Sequence, residues 1–97
     1  MPIRQIMAEA RRLEILRLLA EEPDETINQR EMVTALASLS HGVHPDVVED
    51  DYRRLAELGL VTLETAGRYL MARLTDHGAN VAEGKAYAPG VKRYRPD

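Results

Sequence analysis

A chain of 97 residues, 44% apolar and 30% charged, has room for one modest core and a single domain. It contains no Cys, Trp or Phe, so disulfides and thiolate metal sites are excluded, and aliphatic residues with four Tyr must fill the interior. A net charge of −3 does not suit a general nucleic-acid coat, so any such role requires a local basic patch.

Residues 3–21 are good helix formers with no Gly or Pro, and Pro23 with Asp24 ends the run. Ile15, Leu16 and Leu19 fall on one side of this helix, facing the core. Ile3, Met7, Ala10 and Leu18 fall nearly opposite, and are expected either to pack under the C-terminal segment or to form a homodimer contact. Glu25 to Ile27 has the character of a minimal strand. In "TINQREMVTALASLSHG", Asn28 is placed to cap a second helix, Glu31 to complete a capping box, and Ile27 with Met32 to form a hydrophobic staple. Met32, Leu36 and Leu39 mark its buried stripe, and Gly42 is placed as its left-handed cap.

Pro45 suits the first position of a third helix, with Val48, Tyr52 and Leu55 facing inward and Gly59 ending it. "LVTLE" and "RYLMARLT" alternate like strands around the turn "TAG", which puts Val61, Leu63, Leu70, Ala72 and Leu74 toward the core. Thr75 caps a short last helix that runs to Glu83, with Gly84 at its end. From Lys85 the chain is rich in Pro, Gly and charge. The division predicted is a folded domain over residues 1–84 and a basic extended tail over 85–97.

Helix, short strand, helix, turn, helix, hairpin and short helix is the winged helix-turn-helix order, mainly α with a small β-hairpin. The stretches "LAELGLVTLE" and "GRYLMARLTDHG" resemble the recognition-helix end, wing and exit of bacterial winged-helix regulators. The whole chain is similar to small phage and prophage proteins labelled ArsR-type transcriptional regulators, through "ILRLLAEEPD" at residues 15–24 and "VAEG…PGVKR" at 81–93. The resemblance implies a DNA-binding regulator of transcription. Such proteins carry Arg early in the third helix, whereas this chain has Pro45, Val47 and Glu49 there.

That departure divides the candidate residues. The outward face of the third helix is centred on Asp46, Asp50, Arg53 and Glu57, and a recognition helix usually offers its N-terminal residues to base edges. Carboxylates there suit the helix dipole and pairing with Arg53 and Arg54 better than they suit phosphates. The basic groups expected to contact double-stranded DNA are therefore Arg53 and Arg54, Arg68 and Arg73 of the hairpin, and Lys85, Lys92, Arg93 and Arg95 of the tail beside Tyr87 and Tyr94. The alternative is a protein-interaction module that presents its acidic third helix to a basic partner, for example in phage assembly. His41, His44 and Asp46 read as turn residues and not as a metal site. No nucleophile elbow or phosphate loop is present, so neither an enzyme nor a cofactor is expected. No apolar run is long enough to span a membrane, and "MPIRQIMAEARR" lacks the features of a secretion signal, so a cytoplasmic protein is expected.

Overall fold

The computed structural model describes residues 1–96. Helix α1 (Ile3–Glu21) leads to strand β1 (Thr26–Asn28), helix α2 (Gln29–Ser38) and helix α3 (Pro45–Glu57). Strands β2 (Val61–Ala66) and β3 (Tyr69–Leu74) and helix α4 (Asp76–Ala82) follow. The three strands form one antiparallel sheet in the order β1-β3-β2, so the short first strand joins the hairpin edge and the fold is mixed α/β. β2 and β3 pair from Val61↔Leu74 to Ala66↔Tyr69, leaving Gly67 and Arg68 as the loop. The turn thus lies later than "TAG", because Thr65 and Ala66 continue the ladder.

The alternation along these strands has its physical consequence in the core. Ile27, Val61, Ala72 and Leu74 face inward and are buried, as are Ile15, Leu16 and Leu19 of α1 and Val48, Tyr52 and Leu55 of α3. Leu39, expected on the buried stripe of α2, is instead 43% exposed because the helix ends before it. Tyr52 is enclosed with its hydroxyl donating to the Ile27 carbonyl at 3.0 Å. Burial, with the charge of Glu31, pushes its phenol pKa up.

The helix ends follow one rule. Behind α2, α3 and α4 the second amide beyond the cap returns to a carbonyl five residues back: His41 to Leu36, Leu60 to Leu55 and Lys85 to Asn80, each at 2.8–2.9 Å. The left-handed residue this requires is Gly59 after α3, but Ser40 after α2 (φ 65°), so Gly42 does not serve as that cap. Asn28 caps α2 by accepting from the Arg30 amide at 2.7 Å, and no Glu31 bond closes the capping box among the described residues.

The expected free tail is corrected by the structure. Residues 85–96 lack regular structure but fold back along α1 as a strap. Ala88 and Val91 are buried, the Lys92 amide donates to the Glu9 carbonyl at 3.1 Å, and Arg12 Nη1 donates to the Gly90 carbonyl at 2.9 Å. Arg17 stacks over the Tyr94 ring at 3.9 Å. Two small apolar side chains and an aromatic within twelve residues are enough to dock a short segment, so residues 85–96 pack as part of the domain. Leu18, expected in a dimer contact, packs against the core of its own chain.

Candidate nucleic-acid interface

The turn between α2 and α3 is fixed by Gln29, which is 4% exposed. Its Nε2 donates to the Pro45 carbonyl at 3.2 Å and its Oε1 accepts from the Leu70 amide at 3.1 Å. One side-chain amide therefore sets the start of α3 against β3, and so the angle between helix and hairpin. Nothing in the local sequence marked this residue, because a Gln one position after a cap is ordinary on a solvated helix. His44 was read as a turn residue, yet its Nδ1 accepts from the Asp46 amide at 3.2 Å and caps α3.

The acidic start of α3 is less acidic at the surface than its composition. Asp51 is 1% exposed and turns inward, where Arg11 and Arg12 of α1 reach it. Arg11 Nη2 lies 3.2 Å from its Oδ1 and Arg12 Nε lies 3.0 Å from the same oxygen. Asp46, Asp50 and Glu57 remain exposed, and Glu49 is half-buried and paired with Arg53 at 3.3 Å. Arg53 is thus engaged within its own helix, while Arg54 is exposed with no ion pair among the described residues.

On the hairpin, Arg68 occupies the exposed tip and Arg73 the outward face of β3, level with Thr26 and Thr62 on the flanking strands. The cations of the strap form a separate group. Lys85 pairs with Glu83 at 2.7 Å, while Lys92, Arg93 and Arg95 are exposed beside a groove of about 600 Å³ that Leu13, Glu14, Arg17 and Tyr94 also line. The strap's hydrogen bonds run to α1 and to Asn80 of α4, and none joins it to β2 or β3 among the described residues. The cations expected to act together as one DNA-contacting set therefore divide between the hairpin with α3 and the strap on α1.

The apolar face of α1 also divides. Ile3 is 72% exposed and Ile6 and Met7 are each 44% exposed, while Ala10 and Leu18 are half-buried. Among the described residues no group of three His, Asp or Glu side chains is placed to hold a metal, and no helix is long and apolar enough to cross a membrane.

The two halves of the "LGLV…LTDHG" pattern touch each other. Thr75 Oγ1 donates to the Gly59 carbonyl at 2.7 Å and accepts from the Gly78 amide at 3.0 Å, capping α4. A Cβ on Gly78 would stand 2.0 Å from the Leu60 carbonyl oxygen, so only glycine lets α4 lie there. The pattern is a lock between the end of α3 and the exit of the hairpin.

No family model and no solved structure matches the chain. It is 42% identical over 94 residues to the uncharacterized protein gp26 of Escherichia phage Mu, an alignment that spans 97% of both chains. The chain thus belongs to the family of that phage protein.

Proposed function

We propose that this protein is a winged helix-turn-helix DNA-binding protein that acts in phage or prophage transcriptional regulation. In this reading the β2–β3 hairpin is the wing, and the wing rather than the third helix supplies most of the affinity. The observation that carries it is the placement of Arg68 at the hairpin tip and Arg73 on its open face, both exposed and without an ion pair among the described residues. Guanidinium groups so placed meet phosphates without first leaving a carboxylate. Arg54 adds a contact from α3, and Arg53 does so only by releasing Glu49. Withdrawal of Asp51 from the surface supports the reading by reducing the charge that opposes phosphates. Exposed Ile3, Ile6 and Met7 support a homodimer through the first turns of α1.

The test is a titration with random-sequence duplex DNA at low salt. Arg68→Ala with Arg73→Ala weakens binding to every duplex alike, and Asp46→Asn with Asp50→Asn tightens it. A pair of Asn substitutions that loses affinity for one sequence alone would instead assign base reading to these carboxylates. The second reading is a module that docks α3 on a basic protein surface, and it is favoured by the exposure of Asp46, Asp50 and Glu57. Absence of duplex binding at low salt would select it.

A further inference from the structure

The acidic outward face of α3 and the cationic strap are opposite in charge, and among the described residues no ion pair joins them within one copy. Asp51 directs the inner side of α3 at Arg11 and Arg12 of α1, while Asp46 and Glu57 are exposed and Asp50 is exposed at the rim of a cleft it shares with Arg4 and Ala8 of α1. The strap lies along α1, bonded to Glu9 and Arg12. Lys92, Arg93 and Arg95 stand exposed on it, without an ion pair among the described residues. Between strap and α1 runs the groove of about 600 Å³, floored by Leu13 and Tyr94, where the one acid, Glu14, is outnumbered by Arg17, Lys92, Arg93 and Arg95. A furrow with an apolar floor and a cationic edge suits the ridge of an acidic helix.

We propose that this groove receives the outward face of α3 from a second copy of the chain. Lys92, Arg93 and Arg95 of one molecule then meet Asp46, Asp50 and Glu57 of the next. The two patches are different surfaces, so the contact is heterologous and propagates head to tail instead of closing as a symmetric dimer. It is electrostatic, weak and reversible. The same face of α3 cannot lie on DNA and in a neighbour's groove together, so duplex DNA and self-association compete. This contact does not depend on DNA binding by the hairpin.

Sedimentation of the full chain without DNA tests the contact. At about 10 mM salt, where the screening length is about 30 Å, the average mass rises with concentration beyond that of a dimer. At about 1 M salt, with screening near 3 Å, that rise is lost. Lys92→Glu, Arg93→Glu and Arg95→Glu together abolish the low-salt rise, as do Asp46→Lys and Asp50→Lys. Mixing the two variants restores association, and circular dichroism melts report that each is folded. A wild type whose mass does not depend on salt overturns the proposal. So do folded single-patch variants that still associate, or that fail to associate when mixed. Loss of oligonucleotide binding in the strap variant, with wild-type self-association absent, overturns it in favour of a phosphate site.

Discussion

Asp51 stands in the inward stripe of α3, between Val48 and Leu55, and is the one carboxylate of that helix that is fully enclosed. Taking two charges out of water is costly, and the arrangement holds because two guanidiniums share the carboxylate. Removing only the acid leaves both cations partly buried without it. Asp51→Ala is therefore expected to cost about 3 kcal/mol or more, a fall in melting temperature of roughly 12 °C or more for a domain of this size. Calorimetry checks this, and a loss below about 1 kcal/mol would mean that the cluster behaves as a surface pair. Gly78→Ala acts differently, by forcing a methyl against the Leu60 carbonyl, and overpacking of this kind costs about 1–3 kcal/mol. Chemical denaturation should show that loss even though the substitution favours the helix. Asp51 lies three residues after Val48, which is the helical spacing of the buried stripe, yet only Val48, Tyr52 and Leu55 were expected there. Its partners lie about forty residues away and no local pattern names them.

Periodicity was a good guide to the elements wherever a side chain's own position decides its burial. The stripes of α1, α3 and the hairpin followed from it. The strap was not legible in this way. Its Pro, Gly and charged residues have the composition of a free arm, and its hold on α1 rests on Ala88, Val91 and Tyr94 dispersed among them. Gly84 adds a steric condition, since its Cβ would come within 2.5 Å of the Tyr94 carbonyl oxygen. Deleting residues 85–97 should therefore destabilise the domain and expose Leu13, observable as a lower melting temperature and faster amide exchange in α1. An unchanged melting temperature would restore the free arm. At the opposite end of α1, the first seven residues are exposed, and isolated helical turns gain little from propensity alone. The proposed homodimer over Ile3, Ile6 and Met7 would cover them. Ile3→Glu with Met7→Glu should give monomers at about 1 M salt, where screening near 3 Å removes contacts between exposed charges. Wild-type monomers at high micromolar concentration would remove the dimer.

At the scale of the molecule, the charge is arranged in three surfaces: the arginines of the hairpin, the acidic outer face of α3, and the cationic strap on α1. Net charge conceals this, because the acids and bases nearly balance over the chain. The position of α3 beside the hairpin is held by Gln29 and by the Gly59–Thr75–Gly78 lock, none of which requires DNA. The resemblance to regulators thus rests largely on residues that build the frame, and function depends on what the frame displays. The central claim is that the hairpin arginines engage the phosphate backbone. It is tested most directly by the salt dependence of duplex binding, compared between the wild type and Arg68→Ala with Arg73→Ala. Each phosphate contact contributes roughly 0.9 to the slope of log affinity against log salt, so losing both should flatten it by about 1.8. An unchanged slope, or no duplex binding by the wild type at about 50 mM salt, would contradict the account.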